Sequence, residues 1–494
     1  MSSTRLLVGP FNRVEGDLEV QLDLHDGRVQ AARVNATMYR GFETMLTGKD
    51  PMDALVYVPR ICGICSVSQS VAAVYALRDA AGAQAEPLPA NGQHAINLML
   101  ATENLADHLT HFYLFFMPDF TRPTYASRPW FEAAQARFAP LQGSHARQAT
   151  AARQRWFQIL GTLGGKWPHT QSLVPGGSAR PVDLSERLRL LELVREMRAF
   201  LETTLFDAPL EAIASLDSEA ALHQWWQAGA PDQGDLRLFL TISADLALDR
   251  LGRGPGTCLS YGAYALPDGG HALPAGVWTQ HETHQATLTP EVDLQRITED
   301  ATHAWLQGDT PLHPMRGLTV PQADKPEGYT WNKAPRLGGQ VAETGAVARQ
   351  LASAQALVSA AVARSGTNVH TRVLARLVEI ARVLPMMEAW LRALRPGEAW
   401  HAPAPLPEQA TAVGLSEAAR GALGHWVRLE GGRIANYQIV APTSWNFSPR
   451  DGRGVPGPLE QALVGVPVQP GEDTPVAVQH VVRSFDPCMV CTVH

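Results

Sequence analysis

The sequence predicts an α+β chain that is predominantly helical, a central bundle of long helices with small β pieces near both termini. Three observations carry this: a strand-turn-strand pattern near the start, several long stretches with helical spacing of apolar residues, and Gly- and Pro-rich segments between them. Leu18, Val20, Leu22 and Leu24 alternate with Glu19, Gln21 and Asp23, the period-two signature of a half-buried strand. His25-Asp26-Gly27-Arg28 then turns the chain toward Val29 to Val34, which predicts a hairpin in a small sheet over residues 5–40. From Asn91 to Phe116 a Pro-free, mostly apolar stretch carrying Asp107, His108 and His111 predicts one long helix. Further helices are expected at about residues 128–162, 183–206, 286–307, 342–365 and 369–396. Asp183 suits an N-cap, Gly366 follows the fourth of these, and Pro385 is expected to kink or split the last. Loop-rich segments fall at Gly161–Pro181 and Gly252–Gly276, and the Pro-rich Ala402–Pro407 reads as a connector. No internal repeat is visible. The chain is therefore read as one interwoven unit: an N-terminal β region (1–45), a mainly helical body (46–400) and a C-terminal metal-binding region (401–494).

A chain of 494 residues is long enough for a sizeable core. Its residues are 45% hydrophobic and only 18% charged, so much surface is expected to be buried, inside or against a permanent partner. A net charge of −7 without a basic run argues against nucleic acid or an anionic membrane as target. No apolar run reaches 18 residues, and the first residues carry no secretory pattern. The expected compartment is cytoplasmic, where paired cysteines are more often metal ligands than disulfides.

Four of the five cysteines form two Cys-x-x-Cys pairs, Cys62 with Cys65 and Cys488 with Cys491, near opposite ends of the chain. Each such turn aims two thiolates at one point, so together they offer four soft ligands if folding brings the ends together. A structural zinc site is one reading of four cysteines. Zinc ribbons, however, close their ligands within a few tens of residues, and a separation of several hundred suits a buried catalytic metal better. Cys258, in a Gly-rich stretch, reads as a buried structural residue.

Around these pairs stand Arg13-Val14-Glu15-Gly16, Arg40-Gly41-Phe42-Glu43, Gly164-Gly165-Lys166-Trp167-Pro168-His169, Trp331-Asn332-Lys333-Ala334-Pro335-Arg336, Arg420-Gly421-Ala422-Leu423-Gly424-His425-Trp426 and Pro442-Thr443-Ser444-Trp445-Asn446. This ordered set resembles the large subunit of nickel–iron (NiFe) hydrogenases over nearly the whole chain. The resemblance implies a Ni-Fe(CN)2(CO) centre that splits dihydrogen heterolytically. Cys62 and Cys488 would be terminal nickel ligands, and Cys65 and Cys491 would bridge nickel to iron. Glu15 would relay the proton from Cys488, a role for which a buried glutamate is suited because burial raises its pKa.

By the same resemblance Arg420 would lie over the centre, flanked by Asp107 and Asp486, and Thr443 would offer its hydroxyl to a cyanide. His494, Glu43 and a main-chain carbonyl near Ile439 would hold a hard divalent ion, commonly magnesium. Two departures stand out: Asp17 occupies a place where many members have His, and Ala419 replaces a usual proline.

Gln69, four residues after Cys65, resembles the regulatory, hydrogen-sensing type rather than the respiratory one. Ile64 and Phe115 stand where many members have smaller residues lining a gas channel, and would hinder dioxygen more than dihydrogen. The sequence thus predicts an oxygen-insensitive hydrogen-sensing hydrogenase large subunit, with a respiratory uptake enzyme as alternative and a zinc-stabilised structural subunit as the alternative of another class. No cysteine remains for a cluster, so an iron–sulfur small subunit is the expected partner, linked in the sensor reading to a histidine kinase.

Overall fold

The computed structural model describes residues 3–281, 285–492 and 494. The chain opens with an antiparallel sheet of β1 (Ser3–Val8), β2 (Leu18–His25) and β3 (Arg28–Ala36), in that order. The expected hairpin closes at Asp26 and Gly27, both at positive φ, as a tight two-residue turn demands. Leu18, Val20 and Leu22 face the core.

A short helix, α1 (Phe42–Leu46), leads to the first cysteine turn and then to α2 (Ser66–Ala81). The expected 91–116 helix is α3 (Ala90–Thr110), prolonged by a wider π-type turn over His111–Phe116. The longest helix, α4 (Val369–Ala393), packs along α3. Pro385 does not split it, because Leu384, Met387 and Leu391 on either side are locked into the core and hold the helix through the lost hydrogen bond.

Asp183 caps Leu184–Phe200 in a capping box with Glu186, and Gly366 ends Ala356–Ser365 at φ 75°. Three expectations need correction. Residues 128–162 form three helices, Phe131–Phe138, Ser144–Trp156 and Gln158–Gly164, since Pro140 and the positive φ of Leu141 interrupt the first break. Residues 342–365 form two, Ala346–Ala352 and Ala356–Ser365, divided at Ala354 with φ 50°. Residues 286–307 form no α-helix, only a 3-10 turn over Leu294–Arg296. They supply strands Ala286–Thr289 and Ile297–Asp300, paired with Gly276–Gln280 and Ala334–Leu337, so tertiary pairing overrides a local helical pattern.

Near the C-terminus β4 (Ala410–Ala418), β5 (Gly421–Glu430) and β6 (Arg433–Val440) make a second antiparallel sheet. β4 and β5 are joined by the two-residue turn Ala419-Arg420. Helix α2 lies on β4 with main chain against main chain. A Cβ on Gly414 would stand 2.0 Å from the Ala72 carbonyl oxygen. The chain ends with α5 (Val476–Phe485) and the single turn α6 (Met489–Thr492). Among the described residues, no helix is long and apolar enough to cross a membrane.

Candidate metal centre

Folding brings the two cysteine turns together although Cys62 and Cys488 are 426 residues apart. Cys62 and Cys65 end an irregular stretch just before α2, and Cys488 and Cys491 flank the start of α6. The Sγ atoms of Cys62 and Cys488 lie 3.3 Å apart, those of Cys65 and Cys491 3.2 Å, and those of Cys488 and Cys491 3.1 Å. All four fall within 4.8 Å of one another and are buried. Thiols so close cannot all ionise unaided. Hydrogen bonds from the other sulfurs, with help from Arg420, hold Cys62 down, while sulfur crowding raises Cys65 and burial raises Cys488. Such a donor set suits a soft cation that would allow the remaining thiols to lose their protons. Cys258 is buried apart from the cluster, as expected.

Above the sulfurs sits the Arg420 guanidinium. It donates to Asp107 Oδ2 at 2.8 Å, to Asp486 Oδ1 at 3.1 Å and to the Asp486 carbonyl at 2.8 Å. Burial pushes Asp107 up to about 7, with Arg420 opposing and Asp486 and Cys62 adding, whereas at Asp486 burial is the largest influence but Arg420, His111, Arg376 and His108 together outweigh it and leave the carboxyl lowered. The turn carrying Arg420 is fixed by a fully buried cation, Arg349, which donates to the carbonyls of Ala418 and Ala419 at 2.8 and 3.0 Å. Arg349 is itself held by Glu379 and Glu417, and Glu379 also meets His108. Thr443 Oγ1 accepts from the Cys488 N–H at 3.1 Å, which leaves the hydroxyl proton free to donate into the site.

Glu15 runs beside the second turn as a parallel bridge. Its N–H reaches the Pro487 carbonyl at 3.3 Å, and its own carbonyl accepts from Met489 N–H at 2.7 Å. Gly16, at φ 80°, lets this segment pass against Val490. Half-burial, then the charge at Cys62, raises the Glu15 carboxyl, with Arg420 and Arg40 opposing. Arg13 turns away from Glu15 to pair with Asp119 and to donate to the Phe115 carbonyl. Asp119 also binds Arg483 of α5 at 2.8 Å, so one buried carboxylate ties the Glu15 loop to the helix leading into Cys488.

The predicted hard-ion residues also converge. Glu43 Oε1 accepts from Ile439 N–H at 2.8 Å and lies 3.2 Å from His494 Nε2. It is the N–H of Ile439 rather than its carbonyl that bonds Glu43, but both groups of a strand residue point to the same edge. Glu43 Oε2 meets Thr319 and, at 3.3 Å, the ammonium of Lys333, a cation that sequence reasoning left without a role. Lys333 and His494, with Thr319, hold Glu43 down to about 2 against its burial. Asp17 is exposed, Ala419 is buried in the Arg420 turn, and Gln69 is fully buried with its Oε1 2.8 Å from His425 Nε2. Ile64 packs on the core beside the cysteines, and Phe115 lies half-buried in the π-type turn.

Sequence reasoning missed Glu103. Its carboxylate accepts from Val67 N–H at 2.8 Å, Ser68 N–H at 2.9 Å, Ser68 Oγ at 3.0 Å and Trp167 Nε1 at 3.0 Å. It thus caps α2 from another helix, directly behind Cys65. A mid-helix glutamate gives no local signal of that role. The Gly-Gly-Lys-Trp-Pro-His motif did mark Trp167.

Four converging cysteine sulfurs beside a buried Arg-Asp-Asp cluster, with a glutamate at the edge, define a soft-metal site. A family model described as "Nickel-dependent hydrogenase" matches residues 40–136 and 236–494, and the chain belongs to that family. It is 29% identical to the periplasmic NiFeSe hydrogenase large subunit of Desulfomicrobium baculatum, covering 99% of this chain and 95% of the relative. It is 30% identical to the hydrogenase-1 large chain of Citrobacter freundii, over the same shares. Its fold superposes on the reduced NiFeSe hydrogenase of Desulfovibrio vulgaris Hildenborough with a TM-score of 0.84 and 28% identity, all of both chains being covered. The chain is thus a catalytic NiFe-type hydrogenase large subunit, an oxidoreductase acting on dihydrogen.

Proposed function

We propose that this subunit serves a hydrogen sensor: slow, oxygen-insensitive oxidation of dihydrogen that reports its presence. The observation carrying this reading is Gln69, four residues after Cys65, buried and hydrogen-bonded to His425, whose other ring nitrogen meets Tyr437. His425 stays neutral, burial pushing it down to about 3. The uncharged, non-titrating amide of Gln69 lies one helical turn behind Cys65.

Cys62, Cys65, Cys488 and Cys491 would hold the Ni-Fe(CN)2(CO) centre, which when bound supplies the heterolytic splitting of dihydrogen. Arg420 and Thr443 would donate to its cyanides, with Asp107 and Asp486 orienting the guanidinium. Glu15 would take the proton from Cys488 outward. Glu43, His494 and the Ile439 edge would hold magnesium or a similar ion. Ile64 and Phe115 would narrow the gas route. Electrons would leave through an iron–sulfur small subunit in the cytoplasm and, in the sensor reading, bias a histidine kinase. The second reading, a respiratory uptake enzyme, is favoured by the uptake hydrogenase large subunit of Rhodobacter capsulatus among the relatives, 26% identical to this chain.

Dye reduction by the purified complex under hydrogen, with and without air, separates the two. A sensor shows slow turnover that air leaves unchanged. Fast turnover that decays in air establishes the uptake reading instead.

A further inference from the structure

The tetrapeptide Arg40-Gly41-Phe42-Glu43 works in two directions. Gly41, at φ 74°, reverses the chain at the start of α1, which sends Glu43 toward His494 and Ile439 and leaves Arg40 facing the cysteine turns. A single Arg40 nitrogen, Nη2, donates to the carbonyls of both Ile61 and Val490. Ile61 immediately precedes Cys62, and Val490 immediately precedes Cys491. Among the described residues outside the two turns, Arg40 alone hydrogen-bonds both. Its guanidinium also rests over the Phe42 ring, 5.0 Å from the centroid, so the donor is held in place by its own helix.

The two turns come from segments 426 residues apart, and regular structure does not pair them with each other. The Glu15 bridge fixes only the second turn and the Glu103 cap only the first. Something must set one pair of sulfurs against the other, because metal affinity depends on ligand spacing to a few tenths of an ångström.

We propose that Arg40 is a positioning residue that staples the two Cys-x-x-Cys turns through the Ile61 and Val490 carbonyls and so sets the spacing of the four sulfurs. It touches no metal position itself. The inference goes beyond the hydrogenase reading by resting on the four-sulfur geometry alone. Since one nitrogen makes both bonds, lysine, which also ends in a single nitrogen, is expected to replace arginine, whereas methionine keeps the packing on Phe42 and loses both bonds.

The test uses the full chain, metal-free and as isolated with its small subunit, in parent, Arg40→Lys and Arg40→Met forms. Cobalt(II) titration of the metal-free chain, followed by thiolate-to-metal absorption, should show affinity falling about 10-fold or more in Arg40→Met, the range for groups that orient metal ligands, and returning toward the parent in Arg40→Lys. In the isolated complex, nickel content and the carbonyl and cyanide infrared bands should follow the same order. Parental cobalt affinity and unshifted bands in a folded Arg40→Met chain would overturn the proposal. Should Arg40→Met fail to fold, Arg40→Lys decides: parental affinity supports the staple, and a 10-fold loss overturns it. A parent that takes up cobalt but contains no nickel as isolated would defeat the nickel–iron reading while leaving the cobalt comparison decisive for Arg40.

Discussion

The two cysteine turns present the same motif and are held by different means. The first runs straight into α2, whose 16 residues are buried over most of their length and whose opening N–H groups are capped by Glu103. The second leads into a helix of only 4 residues and is fixed by separate groups: Arg420 on Asp486, Glu15 on Pro487 and Met489, Thr443 on Cys488, and Glu43 on His494. One turn is therefore anchored by a regular element, the other by individual contacts. Substitutions near the second are expected to cost function more than stability, and near the first the reverse.

The sharpest break is Cys488→Ala. It removes one of the four sulfurs but none of the contacts from Arg420, Glu15, Thr443 and Glu43 that hold the second turn, so the chain should stay folded while nickel content and hydrogen-dependent dye reduction fall to background. Retained activity would show that the four-sulfur set is not the centre.

Glu15→Gln comes next. The bridge to Pro487 and Met489 uses main-chain groups, so the amide leaves the turn intact. Hydrogen–deuterium exchange and dye reduction should fall by about 10² or more while the infrared bands persist. Equal rates would mean that the proton leaves by another route.

On the other side of the comparison, Glu103→Ala strips acceptors from two main-chain N–H groups and an indole N–H in the core. A loss of about 3 kcal/mol or more is expected in thermal or denaturant unfolding, since each buried unpaired donor costs about 1–3 kcal/mol. Burial and Asp107 push Glu103 up to about 8 against the pull of its donors. The unfolded chain releases this proton near 4.5 and the folded one near 8, so the native state binds more protons between those values. Stability from this group is complete below pH 4.5 and declines as pH rises toward 8. Glu103→Gln should make the unfolding temperature fall less steeply across that window, the rest of the slope belonging to other raised carboxyls such as Asp107, and an unchanged slope would assign the pH dependence to those groups alone.

The smallest effect on hydrogen oxidation is expected from Ile64→Val combined with Phe115→Leu. Under nitrogen, activity should stay within about 2-fold, and on the proposed sensor reading it should decay in air where the parent does not, because close-packed interiors close narrow passages with one or two carbons. Unfolding is measured alongside, since such truncations cost about 1–4 kcal/mol. A folded double variant as insensitive to air as the parent would place tolerance in the chemistry of the centre.

Local sequence pattern marks the anchor of neither turn: α2, which holds the first, is not among the expected helices, and α6 is a single turn. Elsewhere local order leaves local marks: the alternation of Leu18 to Leu24, the Asp183 capping box and the long apolar stretch of α3 are all visible in the chain itself. Residues 286–307 misled because Ala286–Thr289 and Ile297–Asp300 become strands only through partners elsewhere in the chain. At the site, the sulfurs were recognisable as two pairs, but their convergence, the Glu103 cap and the Arg349 grip on Ala418 and Ala419 depend on contacts between distant segments. Arg40 was visible only as a member of a motif, with nothing in its neighbours to show which carbonyls it meets.

Where α2 crosses β4, Gly414 leaves no room for even a methyl group beside the Ala72 carbonyl and the Ala76 amide. The helix that starts behind Cys65 and the strand that ends beside Arg420 therefore meet at bare backbone. Side-chain contacts can be retuned by exchanging one apolar residue for another, but a backbone contact has no such adjustment. Sequence drift elsewhere in the core can proceed without moving sulfur relative to guanidinium, and a single added carbon at residue 414 would displace both.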